Sequence, residues 1–150
     1  MDYHFKKSKS RELQEWIVAK IRAVLPNENI QIFSRLKGDI ASDIEESLSR
    51  VGLAVVVSPY LVQDYADRVV GIVAENGLIA VSVVENVTTN DLKKDDVEIH
   101  ADNLLECVVH AIYNERFEGS IPQFQPLEDA SPENEPVMIL VQKIKFQVNF

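Results

Sequence analysis

The run Val137–Phe150 constrains the fold more than any other stretch, because it alternates long enough to commit to one long strand. Met138, Leu140, Ile144, Phe146, Val148 and Phe150 fall on one face, with Gln142 the exception. Val137, Ile139 and Val141 open the other face, and Lys143, Lys145, Gln147 and Asn149 finish it. Side chains alternate with period two along a strand, so this one starts covered on both faces and ends with one face wet. A single strand cannot bury such a face alone. The rest of the chain must supply a sheet for it to join and helices to cover it.

Two other segments supply strands. Leu53–Ser58 is valine-rich, closed by Pro59, and reads as a buried strand. Val69–Glu75 and Leu78–Val84 flank Asn76-Gly77, the pair that favours a two-residue type I′ hairpin because both central residues need positive φ. That register would set Ala74 opposite Ile79, Ile72 opposite Val81, and Val70 opposite Val83. Ile30–Phe33 is a further short strand.

Three amphipathic helices accompany them. The first spans about Ser10–Leu25, with Leu13, Trp16, Ile17, Ile21 and Val24 at helical spacing and Pro26-Asn27 as the stop. In the second, Ile40, Ile44, Leu48 and Val51 recur among acids and Gly52 ends it. The third starts at Asp95, where Asp95 and Glu98 have capping-box spacing, and carries Val97, Ala101, Leu104, Leu105, Val108 and Ile112 to about Asn114. Residues 119–136, with Pro122, Pro126, Pro132, Pro136 and the acids from Glu128 to Glu135, form an extended loop with a short strand near Phe124. The expectation is an α+β fold: a mainly antiparallel sheet with two or three helices packed on one face. Residues 1–9 are expected to be a flexible basic tail, and 10–150 a single domain, the size that a chain of 150 residues supports.

Composition narrows function by exclusion. The formal net charge of −9 disfavours general nucleic-acid binding, and the bases at Lys6, Lys7, Lys9 and Arg11 read as a solvated tail. The lone cysteine, Cys107, excludes an internal disulfide and Cys-rich zinc sites. It falls in mid-helix and reads as a small buried hydrophobe. His100 and His110 lack the i, i+4 spacing of a zinc helix. Asp96 and His100 do have that spacing, and a surface hydrogen bond suits them better than a metal. The acid pairs Glu45-Glu46 and Asp95-Asp96 read as solvated charge. There is no glycine-rich phosphate loop, no nucleophile elbow and no membrane-length apolar run, and no secretory leader is expected. No catalysis, cofactor or metal is expected.

The layout resembles that of the small tail-terminator and tail-completion proteins of long-tailed bacteriophages and prophages. The residues that carry the resemblance are Asp39–Ser58, the "VSVVEN" of Val81–Asn86, the helix Asp96–Asn114 and the closing "PVMILVQKIKFQVNF". The resemblance implies a homo-oligomeric ring, commonly hexameric, that caps the tail tube and meets head-connector proteins. It also implies assembly in the cytoplasm and residence in the virion. Neither a membrane nor a specific nucleic-acid sequence is an expected partner. Asn76, Gly77, Glu128, Asp129, Phe146, Val148 and Phe150 are the candidate subunit interface, with Phe150 needing cover from its own domain or a neighbour. Two alternatives stand beside this reading: an adaptor or regulatory domain that binds a peptide by strand addition, and a small enzyme with its site assembled from acids across the sheet.

Overall fold

The computed structural model describes residues 4–34, 40–69 and 71–150. The expected roles of Met1–Tyr3, of Asp39 and of a Val70–Val83 pair lie outside these residues. Helix α1 (Lys9–Arg22) leads to strand β1 (Gln31–Phe33), helix α2 (Ile40–Arg50) and strand β2 (Leu53–Val57). Two short strands follow, β3 (Leu61–Val62) and β4 (Tyr65–Arg68), then the long β5 (Gly71–Asn86). A small hairpin of β6 (Lys93–Lys94) and β7 (Val97–Glu98) precedes helix α3 (Ala101–Ile112). Strands β8 (Gln123–Phe124) and β9 (Glu128–Asp129) then lead into β10 (Val137–Asn149).

The main sheet has the order β1-β2-β5-β10-β8, with β3 and β4 also paired to β5 and β9 to β10. Among the described residues, only β1 and β2 run parallel; the other pairings are antiparallel. The sheet is therefore mainly antiparallel and the class α+β, as expected. Its spine is the β5–β10 pair, registered from Val137 opposite Asn86 to Asn149 opposite Val73.

Alternation along this spine defines the core face. Leu140 stands opposite Val83, Gln142 opposite Val81, and Ile144 opposite Ile79. Leu53, Val55 and Val57 extend the face on β2. Leu13, Ile17 and Ile21 of α1 and Leu104, Leu105, Val108 and Ile112 of α3 cover it. Trp16 packs edge-on against Phe117 and Phe146, with ring centroids 5.7 and 6.1 Å apart. Gln142, the polar exception, is buried and satisfied: its amide donates to the Gln125 and Lys143 carbonyls at 2.6 and 3.0 Å. The helix α2 connects the parallel strands β1 and β2, and its half-buried Ile44 and Leu48 stay outside this core. Ala54 and Val84, which point away from the core, are nevertheless buried. Both facts place α2 over the opposite face, where a crossover between parallel strands would carry it.

Two local expectations are corrected. Asn76-Gly77 is not a turn. It lies within β5, which runs straight through both expected strands, so Ala74 and Ile79 are neighbours along one strand rather than partners across two. Ala74 pairs instead with Tyr65 of β4 and Val148 of β10. Between Phe146 and Val148 the register of β5 slips by one residue, a bulge that falls at Glu75 and Asn76. Gly77 is there for room: a Cβ on it would sit 1.9 Å from the Tyr60 hydroxyl. That hydroxyl crosses the strand to donate to the Phe146 carbonyl at 2.7 Å.

The second correction concerns Asp95, which does not start a helix. Asp95 and Asp96 have φ of 50° and 65° and join β6 to β7, so the hairpin turn with two positive φ angles occurs here. Val97, expected on a helical stripe, is exposed in β7. The helix begins at Ala101 because a buried carboxylate takes up the free N–H at its first turn: Glu85 Oε1 accepts from the Ala101 N–H at 2.8 Å. Asn114, at φ 67°, follows its end as expected.

Candidate subunit interface

Strands β4, β5 and β10 extend further than the helices that cover them. Ala74 and Val148 are the last sealed pair on the core face. Beyond them Ile72 is 51% exposed and Phe150 47% exposed, although they continue the same alternation. Tyr65, also largely exposed, stacks on Phe150 with ring centroids 5.6 Å apart. The Phe150 N–H donates to the Ile72 carbonyl at 2.8 Å, which locks the end of β10 to β5. Val69, after β4, is fully exposed. Tyr65, Ile72 and Phe150 thus form an apolar patch at the far end of the sheet. Exposed apolar residues are unremarkable singly, but contiguous ones mark contact surfaces.

A polar frame holds this end in shape. The Asn76 amide donates to Asp64 at 2.7 Å, and Arg68 pairs with Glu75. Gln63 and Asp64 exchange backbone hydrogen bonds with Asn76 and Glu75, which bridges β3 to β4 along β5. Among the described residues, no strand pairs with the other edge of β3 or β4. The segment Leu61–Arg68 is therefore an open edge lying beside the patch.

The expected interface residues do not gather in one place. Phe146 and Val148 are sealed in the core by their own domain. Gly77 is buried beneath Tyr60, and Asn76 sits in the polar frame. Glu128 and Asp129 are exposed on β9, against Val141 and Leu140 of β10. Glu128 pairs with Lys143 at 3.1 Å; the Asp129 carboxyl is held below its ordinary range first by the Ser131 hydroxyl and then by the Ser131 N–H, which donates to it. Of the expected set, only Phe150 joins the apolar patch. Tyr65 and Ile72 went unread because the assumed turn at Asn76-Gly77 folded Ile72 back over Val81.

A second cluster lies at the opposite end of β5. Glu85 is 2% exposed, and its carboxylate accepts from Asn90 Nδ2, from His100 Nδ1 and from the Ala101 N–H, each at 2.8 Å. His100 Nε2 lies 3.1 Å from Glu98. Glu85 first and Glu98 second raise the His100 pKa above its ordinary value, because both carboxylates favour the charged ring. The alternation Val81, Val83, Glu85 was the signal for a buried acid. His100 meets these two glutamates, and Asp96 lies in the β6–β7 turn. No group of three or more potential metal ligands occurs among the described residues. Cys107 is partly buried, donates weakly to the Val24 carbonyl at 3.3 Å, and has its thiol pushed up by burial. His110 is exposed. No helix among the described residues is long and apolar enough to cross a membrane.

No protein-family model matches the chain, and no curated protein matches it in sequence. Among solved structures it is similar to the sheath/tube terminator of an extracellular contractile injection system, PVC, in its extended state. The identity is 15% and the TM-score 0.44, over 97% of this chain and 58% of that one. The chain thus spans somewhat over half the length of that terminator, and a likeness at this level carries no statement about function.

Proposed function

We propose that the chain is a structural subunit that self-associates into a ring and completes a phage-like tail, meeting tail tube on one side and head-connector proteins on the other. One observation carries this reading: the sheet outruns its helices and leaves Tyr65, Ile72 and Phe150 uncovered on a face that is elsewhere sealed. A neighbouring subunit is the cover that such a patch calls for. The layout resemblance to tail terminators supplies the kind of assembly, and the hexamer is its implication. A net charge of −9 suits a ring through which DNA passes without sticking. Assembly in the cytoplasm, residence in the virion and the absence of catalysis belong to the same proposal.

The open β3–β4 edge favours a second reading, an adaptor that binds a peptide by strand addition. Light scattering on the purified chain over a wide concentration range, alone and with tail-tube protein, separates the two. A ring-sized species, driven towards monomer by Tyr65→Ser with Ile72→Ser while circular dichroism is retained, is the expected result. A monomer under every condition overturns the terminator reading and leaves the adaptor.

A further inference from the structure

His100 touches a carboxylate with each ring nitrogen. Nδ1 lies 2.8 Å from Glu85 and Nε2 3.1 Å from Glu98. A neutral imidazole has one N–H and can donate to only one of them, whereas imidazolium donates to both. The two acids differ in their alternatives. Glu85 is buried and also holds Asn90 and the α3 N-terminus, whereas the Glu98 side chain is 68% exposed and can be solvated by water. Glu98 is the last residue of β7, so its contact with His100 adds a charge-dependent tie between the β6–β7 hairpin and the body of the domain, beside the one that Asn103 Nδ2 makes to the Glu98 carbonyl at 2.8 Å. Below it, Ile99 is buried and its N–H donates to the Leu92 carbonyl at 2.9 Å.

We propose that His100 is a protonated bridge between the buried Glu85 and the hairpin residue Glu98, and that loss of its proton releases the β6–β7 hairpin as a pH-sensitive flap. The charged groups that meet the ring are Glu85 from β5 and Glu98 from β7; Lys93 stands opposite Glu98 on β6, Asp91 lies just before that strand, and Asp102 lies in the first turn of α3. Acids dominate this set, so the charged ring is favoured. The sign follows from the raised pKa in the folded protein. The bridge is complete below the unfolded histidine value of about 6.5 and is lost as pH rises through the higher folded value.

The test is an NMR titration of the full chain that follows the three histidine rings together with amide exchange at Lys94–Ile99. His100 is expected to titrate above the ordinary histidine value, and protection at Val97–Ile99 is expected to be lost over the same pH interval while β5 and β10 stay protected. The substitution His100→Asn should leave hairpin exchange with only the intrinsic chemical dependence on pH. Glu98→Gln, whose amide can accept from a charged ring or donate to a neutral one, should lower the His100 midpoint and remove the pH-dependent opening. The proposal is overturned if His100 titrates no higher than an ordinary histidine, or if the pH-dependent opening persists unchanged in Glu98→Gln.

Discussion

Gly77 shows how a single residue can carry two meanings. Next to Asn76 it looks like half of a turn, yet its service is to leave room for Tyr60. Burial of that ring pushes its hydroxyl up to about 12, so it stays a proton donor to the Phe146 carbonyl across the accessible pH range. Gly77→Ala would drive a Cβ into the ring and eject it, at an expected cost of about 3 kcal/mol from overpacking plus the lost buried hydrogen bond. Urea unfolding measures this. Gly119→Ala is the contrast: the φ of 83° is strained for alanine but nothing lies within 4 Å of the new methyl, so about 1 kcal/mol is expected. Equal losses at the two sites would refute the steric account. Glu85 was legible in principle from the alternation of its strand, but three donors converging on one carboxylate are not written in local sequence. Glu85→Gln keeps an acceptor for the Ala101 N–H and turns its own donor towards Asn90, so a loss of about 1–3 kcal/mol is expected by thermal melting.

Elements were read more reliably than their connections. The helices α1 and α3 and the strands β2 and β10 follow from apolar period alone, because each must bury one stripe or face wherever it packs. The turn chemistry was misplaced. Asp95-Asp96 adopts the positive φ angles that were expected of Asn76-Gly77. Aspartate tolerates this region less well than glycine, so replacing the pair by Asn-Gly should stabilise the hairpin by about 0.5 kcal/mol. Raised amide protection at Lys94 and Val97 would report it, and lowered protection would contradict the turn assignment.

At the level of the whole molecule, an apolar patch must act against a net charge of −9. Identical acidic subunits repel, and that repulsion extends about 10 Å at 0.1 M salt but only about 3 Å at 1 M. Self-association through Tyr65, Ile72 and Phe150 should therefore strengthen as salt is raised, as followed by sedimentation velocity. Weakening with salt would point to ion pairs as the contact and away from the patch.

The sequence by itself determined the fold class, the sealed face of β10 and the helices that cover it, because hydrophobic period acts locally and each element carries its own pattern. Tertiary structure alone decided that β5 is one strand, that Tyr60 occupies the space above Gly77, and that Ile72 and Phe150 outrun the helices. The physical reason is that a turn propensity is worth less than a long ladder of backbone pairs. Both edges of β5, offered to β10 on one side and to β2, β3 and β4 on the other, outweighed the preference of two residues to bend.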